Sequence, residues 1–485
     1  MRARDHDELG ALDATAQAEC VRRGELSPGE LVESAIARIE AADAQLGALA
    51  APLFDEARHA AVQRRLPRGP FRGVPFLLKD LGARQVGVPH SCGNRALREA
   101  DYRASDDSPL GARFRRAGLV TLGTSKTPEY GLQSTTQPLA FGPTRNPWAP
   151  ERSAGGSSGG AAAAVAAGFV ALAHASDGAG SIRIPAAWCG AVGLKPSRGR
   201  ISRGPGDLEA ATAVEFAITR SVRDAAGLLD AVHGSAPGDL FTAPPPPARS
   251  FRRALTAALP RLRVGVLTEM PGGLCERACA EAAAAAALLL ESFGHDVQVS
   301  WPKALFEQEE RALLGLVFGP LEARSCLWDL ALRLGRKVEE SDVEPFLWRL
   351  AHLEVGPLPA DQLVRAAERQ LEWAARVASW WQDFDLLVTP TVGLLPPLLA
   401  ELDGATHGPD ELMERMGPHM AFTEPFNATG QPALALPFGL SEQGLPLSVQ
   451  LVAAHGREDL LLALGARLEA EAPASERPAP LLAPR

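Results

Sequence analysis

The sequence predicts an α/β fold in which helices alternate with short, buried strands. Three apolar segments indicate strands: RGVPFLLKD at 72–80, LRVGVL at 262–267 and FDLLV at 384–388. Each is short and almost continuously apolar, which is typical of strands that are covered on both faces. The amphipathic pattern LVESAIARIEAA supplies the helical part of the alternation. We therefore expect helices to cover a largely buried sheet.

The elements of the N-terminal half follow one another clearly along the chain. Ser27-Pro28-Gly29-Glu30 has the order of a capping box with proline at the first helical position, so a helix is expected to begin there. After the strand at 72–80, a helical pattern at 108–117 leads into a short strand at 119–122. The small residues of 161–168 predict a helix that packs closely against its neighbours.

The C-terminal half begins after a proline-rich connector, TAPPPPARS. Beyond LRVGVL the sequence is mainly helical and carries little recognisable chemistry, so we interpret it as an insertion or cap. We find no internal repeat. The expected organisation is a single domain over 1–485, with a core at about 8–240 and 383–470, a mainly helical insertion or cap at about 250–382 and a flexible tail at 471–485.

Composition excludes several classes of function. Of the 485 residues, 46% are hydrophobic and 22% charged, as in a globular protein, and the net charge of -9 disfavours binding to nucleic acid or to anionic membranes. The longest uncharged runs fall short of the ~20 residues of a membrane span. The six cysteines contain no CxxC and no metal-ligand spacing, and the N-terminus has no apolar signal core. We expect a cytoplasmic protein without metal or cofactor.

The stretch GGSSGGAAAAVAAGFVALAHASDGAGSIRIP at 155–185 raises the question of which serine is reactive. GSSGG satisfies the nucleophile-elbow motif with Ser158 at its centre, but that motif needs a strand directly before it, and a loop precedes it here. Neither phosphate-loop motif is present. Gly178-Ala179-Gly180 precedes Ser181, and such small residues let backbone N–H groups converge on an oxyanion. Ser181 is therefore the better candidate for the nucleophile.

The chain resembles the amidase signature family, serine hydrolases that use a Ser-Ser-Lys triad. The resemblance rests on GGSSGG followed by SDGAGSIRIPAAWCGAVGLKPS, on GVPFLLKD and GTSKTPEYGL before that block, and on DLLVTPT and FTEPFNATGQPALALPFG after it. It covers most of the chain and is weakest between about 254 and 382. The family's fold is a central mixed β-sheet covered by helices on both faces. Within the family, the central block is most similar to broad-substrate bacterial amidases.

The resemblance implies a role for each residue of the central motif. Ser181 corresponds to the nucleophile, Ser157 to the bridging serine and Lys79 to the base. The backbone amides of Gly178, Ala179 and Gly180, together with that of Ser181, correspond to the oxyanion hole. A cis peptide bond is implied between Gly156 and Ser157. The chain has Asp-Gly-Ala-Gly-Ser where the family usually has two glycines before the serine, so Ala179 has to adopt a conformation that glycine reaches more easily.

These residue types suit amide hydrolysis. A serine hydroxyl is a weak nucleophile until a base takes its proton. A lysine can act as that base only as the neutral amine, and burial among apolar groups, such as the PFLL before Lys79, favours that form. Ser157 can accept a hydrogen bond and donate one, so it can relay the proton between Lys79 and Ser181.

Further residues are expected to support the loop or line the pocket. Asp177 and Arg183 flank the nucleophile and are expected to hold its loop, with a surface ion pair as the alternative. Ser158 either adds a hydrogen bond or is an ordinary turn serine. The resemblance also brings Glu129, Tyr130 and Asn427 near the site, as substrate-binding or supporting residues. Cys326, Trp328 and Trp348 line a substrate pocket or belong to the core, with core packing favoured. His174 is expected to be a buried, hydrogen-bonded histidine.

The function that follows is hydrolysis of small linear, cyclic or aryl amides through an acyl-enzyme. Carbamate or ester hydrolysis by the same triad is an alternative. So are the glutamine-hydrolysing A subunit of a tRNA-dependent amidotransferase and a noncatalytic scaffold of the same fold. The expected partner is a small-molecule amide, and a homodimer is left open.

Overall fold

The centre of the protein is a mixed sheet, seen in a computed structural model that describes residues 6–62, 66–205, 211–270, 273–353 and 360–472. Within these residues, eleven strands form the sheet in the order β1-β3-β2-β6-β8-β7-β12-β13-β11-β9-β10, and β4 pairs with β5 separately. The strands are β1 (Leu49–Pro52), β2 (Pro75–Lys79), β3 (Val120–Ser125), β4 (Arg145–Asn146), β5 (Ala149–Ser153), β6 (Leu172–Asp177), β7 (Val192–Lys195), β8 (Val214–Thr219), β9 (Arg263–Val266), β10 (Asp296–Val299), β11 (Leu386–Pro390), β12 (Ala433–Leu440) and β13 (Pro446–Ala453).

Helices cover both faces of this sheet, as predicted. The α-helices are α1 (His6–Ala11), α2 (Ala14–Arg22), α3 (Pro28–Leu46), α4 (Phe54–Val62), α5 (Arg95–Glu99), α6 (Pro109–Arg116), α7 (Gly159–Ala166), α8 (Arg183–Cys189), α9 (Val222–Val232), α10 (Phe251–Ala254), α11 (Arg277–Ser292), α12 (Gln308–Leu334), α13 (Pro345–Ala351), α14 (Ala360–Ser379), α15 (Pro409–Met420), α16 (Pro425–Thr429) and α17 (Glu458–Glu471). Short 3₁₀ helices span Glu129–Gly131, Lys303–Phe306, Glu340–Asp342, Trp380–Gln382 and Leu399–Leu402.

The sequence signals for individual elements are confirmed. The Ser27 hydroxyl accepts the Glu30 N–H at 3.2 Å, while the Glu30 carboxylate accepts the Ser27 N–H at 2.7 Å, which completes the capping box of α3. Ser108 caps α6 in a similar way, by accepting the Gly111 N–H at 3.1 Å. The apolar segments at 72–80 and 262–267 contain β2 and β9, and the segment at 384–388 overlaps β11.

The pairing of the strands brings the carboxyl ends of β2 and β6 together, and both ends carry polar residues. β2 runs parallel to both β3 and β6, with Leu77 opposite Ala173 on β6. The five residues of β2, PFLLK, are all buried, and Phe76 and Leu77 are part of the main apolar core. Because the carboxyl ends of parallel strands meet at one edge of a sheet, Lys79 at the end of β2 lies beside the end of β6.

The predicted insertion at 250–382 contains part of the sheet as well as helices. β9 pairs in parallel with β11 and β10 in parallel with β9, so this segment builds one edge of the main sheet. The sequence of β10, DVQV, is polar and only partly buried, as suits an edge strand, which explains why its pattern was not recognised. The helices of this segment are α10, α11, α12, α13 and α14.

Two further sequence expectations concern the ends of the chain and membranes. The predicted flexible tail at 471–485 lies, from 473 onward, outside the described residues. Among the helices that the structure describes, none has the length and apolar character that a bilayer crossing requires.

Candidate active site

Lys79 ends β2 with its side chain fully buried, at 0% exposure. Its Nζ lies 2.8 Å from the Oγ of Ser157 and 2.9 Å from the Oγ of Ser176. The sequence predicted the first of these contacts through the family resemblance but not the second. Ser176 lies on β6, whose six residues are all buried, so the sequence pattern gave it no distinguishing mark.

Only the structure shows that Ser176 gives the Lys79 amine a second hydroxyl partner.

Ser157 lies in the loop between β5 and α7, and its side chain is 2% exposed. The Gly156–Ser157 peptide bond is cis, as the resemblance implied. Gly156 has no room for a side chain, since a Cβ would lie 2.6 Å from backbone atoms of Gln133 and Thr135. Backbone packing therefore fixes the path of the chain that presents the Ser157 hydroxyl.

Ser158 faces the protein interior and does not line the cavity described below. Its hydroxyl donates to the Ser176 carbonyl at 3.2 Å and accepts the Ser176 N–H at 3.4 Å, so it ties this loop to β6. Its own N–H donates to the Ser181 carbonyl at 3.3 Å. These contacts support the expected hydrogen-bonding role and leave Ser158 poorly placed as an elbow nucleophile.

Ser181 lies in the short loop between β6 and α8, and it is partly exposed. Gly180 in this loop has φ of +133°, and a Cβ there would lie 2.3 Å from the Thr423 Oγ1, so glycine is required. Ala179 has no left-handed φ. The replacement of a family glycine by Ala179 therefore introduces no backbone conflict.

The backbone amides of this loop differ in their hydrogen bonding. The Gly180 N–H donates to the Asp177 Oδ1 at 2.7 Å, so it is already engaged. Among the residues that the structure describes, the N–H groups of Gly178, Ala179 and Ser181 have no acceptor within hydrogen-bond distance. Gly180 was among the predicted oxyanion donors, but its N–H is engaged by Asp177, and the oxyanion role of the other three amides stays a prediction.

Asp177 and Arg183 form a fully buried ion pair, with both side chains 0% exposed. The Arg183 Nε and Nη2 donate to the two carboxylate oxygens at 2.9 Å each. The Asn427 Nδ2 donates to the Asp177 Oδ1 at 2.9 Å, and the Gln450 Oε1 accepts from the Arg183 Nη1 at 2.8 Å. Burial alone would raise the pKa of Asp177, but Arg183 holds that pKa below its usual value. The alternative of a surface ion pair is excluded.

A cavity of about 480 Å³ opens onto this loop. Its lining includes the three serines at 157, 176 and 181 together with the predicted pocket residues Tyr130, Cys326 and Asn427. Tyr130 has φ of +49°, an uncommon conformation for an aromatic residue, and its hydroxyl donates to the Asp329 Oδ2 at 3.1 Å. Within the described residues, no cluster of three or more His, Cys, Asp and Glu side chains is arranged to hold a metal ion.

Glu129 differs from the expectation, because it does not line the cavity. It is 4% exposed, and its carboxylate accepts the Asn94 Nδ2–H at 2.7 Å and the Glu344 N–H at 2.8 Å. Burial and the nearby Glu344 carboxylate raise the pKa of Glu129 above its usual value. The side chain therefore joins the loop after β3 to the start of α13, next to the pocket residue Tyr130.

The two tryptophans considered for the pocket lie in different environments. Trp328 on α12 lines the cavity and is 67% exposed, so it forms part of the rim. Trp348 packs on His352 instead, with ring centroids 4.1 Å apart. The family resemblance weakens in this part of the chain, and pattern alone could not distinguish these positions.

Comparison with known proteins identifies the family of this chain. The family model Amidase matches residues 30–462. The 6-aminohexanoate-cyclic-dimer hydrolase of Paenarthrobacter ureafaciens is 44% identical over 491 residues, which cover 97% of each chain. A solved structure of 6-aminohexanoate cyclic dimer hydrolase complexed with substrate has a TM-score of 0.92 at 42% identity, covering 98% of this chain and 99% of that one. A solved bacterial aryl acylamidase of the amidase signature family has a TM-score of 0.87 at 29% identity, with 98% and 99% covered. The chain therefore belongs to the amidase family, the amidase signature enzymes, and it is a hydrolase of carbon–nitrogen bonds other than peptide bonds.

Proposed function

We propose that this amidase acts through Ser181 as nucleophile, Ser157 as proton relay and Lys79 as base. The observation that carries the proposal is the 2.8 Å contact between the Lys79 Nζ and the Ser157 Oγ, beside a cavity that Ser157 and Ser181 both line. The Ser158 N–H to Ser181 carbonyl hydrogen bond, at 3.3 Å, keeps the two serine loops adjacent. Lys79 has to be a neutral amine to accept a proton.

The proposed reaction has two halves. Ser181 Oγ attacks the amide carbonyl as its proton passes through Ser157 to Lys79, and the carbonyl oxygen becomes an oxyanion. The amides of Ala179 and Ser181, with that of Gly178, are the proposed donors to this oxyanion. The amine leaves with the proton returned through Ser157, and an acyl-enzyme remains. Water, deprotonated by the same relay, then releases the acid.

The proposed substrates are small linear, cyclic or aryl amides. The names of the relatives support this class, because one is a hydrolase of a cyclic dimer of 6-aminohexanoate and another is an aryl acylamidase. A cavity of about 480 Å³ has the size of a small-molecule site. Its wall near the nucleophile is apolar at Leu81, Ile184 and Met420, which suits aliphatic or aryl groups. A cytoplasmic location also belongs to the proposal.

Substitution of the three proposed catalytic residues tests the mechanism. Ser181→Ala, Ser157→Ala and Lys79→Ala are each expected to lower kcat for an anilide by about 10²-fold or more, since each removes nucleophile or proton transfer. Lys126→Met is the matched control. Lys126 is also buried, but its ammonium donates to the Phe141 carbonyl at 2.9 Å and does not line the cavity. Near wild-type activity of Lys79→Ala would refute the base assignment.

A substrate panel distinguishes the remaining alternatives. The purified chain alone is expected to hydrolyse linear amides, lactams and anilides, and the panel includes carbamates, esters and glutamine. Activity on esters or carbamates with no activity on amides would show that the enzyme is an esterase or a carbamate hydrolase instead. Hydrolysis of glutamine alone would favour an amidotransferase subunit, and a chain inactive on all of them would favour a scaffold.

A further inference from the structure

His174 on β6 contacts the strand that carries Lys79 at the point where the two strands separate. Backbone pairing between β2 and β6 is confined to Leu77 opposite Ala173. Two residues further along β2, the Lys79 N–H donates to the Nδ1 of His174 at 3.2 Å. The imidazole is fully buried. A side chain thus continues the connection between the strands beyond their backbone ladder.

The other side of the imidazole faces a buried charge pair. The His174 Nε2 lies 3.5 Å from the Glu215 Oε2 on β8, and the Glu215 Oε1 lies 3.2 Å from the Arg203 Nη1. Glu215 and Arg203 both line the cavity that contains Ser181. Burial alone would raise the pKa of Glu215, but Arg203 and His174 lower it to about 2, so this group is a carboxylate at neutral pH.

These contacts define the protonation state of His174. A backbone N–H can only donate, so Nδ1 has to accept with its lone pair. The ring proton is then on Nε2, which lies 3.5 Å from the Glu215 Oε2 without meeting hydrogen-bond geometry, so the two groups interact through charge. Burial lowers the pKa of His174, with Glu215 opposing this effect and Lys79 and Arg203 adding to it, which agrees with a neutral ring. A protonated ring could not accept the Lys79 N–H and would place a second cation beside the lysine.

Packing restricts both the Glu215 carboxylate and the His174 imidazole. Gly82 lies against it, and a Cβ at Gly82 would be 2.6 Å from the Glu215 Oε1 and 3.5 Å from the His174 Cε1. On another side, the Phe114 ring packs against the imidazole at 5.6 Å between centroids. The imidazole is therefore held by packing as well as by its polar neighbours.

We propose that His174 is a positioning residue for amide hydrolysis: it fixes the end of β2 so that the Lys79 amine reaches Ser157, and Glu215 holds the imidazole in the required tautomer. The inference rests on the proposed role of Lys79 as the base. The charged groups around the ring are Lys79 from β2, Glu215 from β8 and Arg203 from the loop after β7. His174 itself does not line the cavity.

A pair of variants separates positioning from packing. The Asn Oδ1 can occupy the place of the histidine Nδ1, so His174→Asn keeps an acceptor for the Lys79 N–H, whereas His174→Leu removes it. We expect His174→Leu to lower kcat by about 100-fold with KM nearly unchanged, because a small displacement of a catalytic group has this effect. His174→Asn should keep most of the kcat that His174→Leu loses.

His295 provides the matched control. It is 5% exposed, and its Nδ1 accepts the Leu262 N–H at 3.3 Å, far from the cavity at the other edge of the sheet. His295→Leu removes the same kind of buried acceptor and should leave kcat unchanged. The inference is overturned if His174→Leu and His174→Asn have the same kcat. Lys79→Ala is measured alongside, and if it is active, the proposed base is wrong. If Lys79→Ala is inactive and the two His174 variants have the same kcat, only the present inference fails.

The wild-type protein gives an independent test should His174→Leu not fold. In protein labelled with ¹⁵N-histidine, with the signal assigned by its loss in His174→Asn, we expect the neutral tautomer with hydrogen on Nε2 from about pH 5 to about pH 9. A tautomer with hydrogen on Nδ1, or a ring that gains a proton in this range, would contradict the inference.

Discussion

Asp177 shows, at the scale of single residues, that the nucleophile loop is held by charge as well as by glycine. Its carboxylate accepts the N–H groups of Gly180 at 2.7 Å and of Ile182 at 3.1 Å, besides the two bonds from Arg183. All of these partners are donors, so each carboxylate oxygen acts only as an acceptor. A neutral side chain of the same shape cannot replace it.

We predict that Asp177→Asn lowers the free energy of unfolding by about 3–5 kcal/mol at neutral pH, because it leaves Arg183 buried without its anion. The lowered pKa of Asp177 means that the carboxylate stabilises the fold above its ordinary pKa of 3.8, and this contribution is lost as the pH falls through the lower, folded-state pKa. The difference between the two proteins should therefore narrow in acid. Urea unfolding at several pH values measures it.

The control is an exposed ion pair of the same charge type. Arg277 and Glu281 on α11 are 2.6 Å apart with side chains 90% and 61% exposed. Glu281→Gln should leave the unfolding midpoint unchanged. An Asp177→Asn protein as stable as the Glu281→Gln protein would contradict the account of the buried pair.

Residue-level prediction succeeded where a motif specified backbone geometry and failed where chemistry depends on contacts across the sheet. The motif singled out Ser157 and Ser181, which both line the cavity, and their catalytic roles stay predictions. It could not show that the Gly180 N–H is used by Asp177, or that Ser176 reaches Lys79, since both depend on distances between separate segments. The hydrogen bond from the Glu344 N–H to Glu129 was hidden from the sequence for a similar reason, because the two residues are 215 positions apart in the chain.

At the scale of elements, the packing of α7 explains why the start of its sequence contains only small residues. A Cβ on Gly160 would lie 2.5 Å from the Ala48 carbonyl oxygen and 2.5 Å from the Lys126 N. The Gly160 N–H also donates to the Lys126 carbonyl at 3.3 Å. The helix start therefore packs directly on the backbone of neighbouring segments, which cannot rotate away as a side chain would. The close packing predicted for this segment is confirmed.

We predict that Gly160→Ala destabilises the protein by about 1–3 kcal/mol, although alanine is the better helix former, because one methyl group has no space. Gly417→Ala in α15 is the opposite case. In the part of the chain that the structure describes, no atom lies within 4 Å of its added Cβ. That variant should be stabilised by roughly 0.4–1 kcal/mol. Thermal or urea unfolding measures the change in stability of each variant. Equal changes in the same direction for both variants would contradict the packing argument.

At the scale of the whole molecule, the buried carboxyl group of Glu129 and the half-buried one of Glu344 connect the sheet-bearing core to the helical cap. Glu129 follows β3 and accepts the N–H of Glu344, the residue directly before the first turn of α13. The Glu344 Oε1 in turn accepts the Leu139 N–H at 2.7 Å. Burial raises the pKa of both groups above the ordinary 4.5, and for Glu129 the Glu344 charge adds to this effect.

We predict that this connection weakens as the pH rises. A raised pKa means that the folded protein keeps a proton that the unfolded chain has already lost, so stability falls as the pH increases above the ordinary pKa of 4.5. Glu344→Gln keeps the acceptor for Leu139 but removes one charge, so the decline between about pH 5 and about pH 8 should become shallower. Urea unfolding across that range measures the slope. Glu442→Gln, at an exposed position, is the control, and identical slopes for both variants would contradict the prediction.

Prediction from sequence was strong for the class of fold and weak for its boundaries. Apolar strands such as β2 and β11 are visible because both faces are buried, whereas β10 is polar and lies at the sheet edge. The order of the strands depends on long-range pairing, for example between β7 and β12, which local patterns do not encode. The assignment of the whole chain to one domain stays a prediction.

The most direct test of the central claim is the site of covalent labelling. The purified protein is treated with a serine-directed fluorophosphonate and digested, and peptide mass spectrometry locates the adduct. The account predicts one adduct, on Ser181, formed much more slowly in Lys79→Ala and absent in Ser181→Ala. An adduct on Ser157 or Ser158, or undiminished labelling of Ser181→Ala, would contradict it.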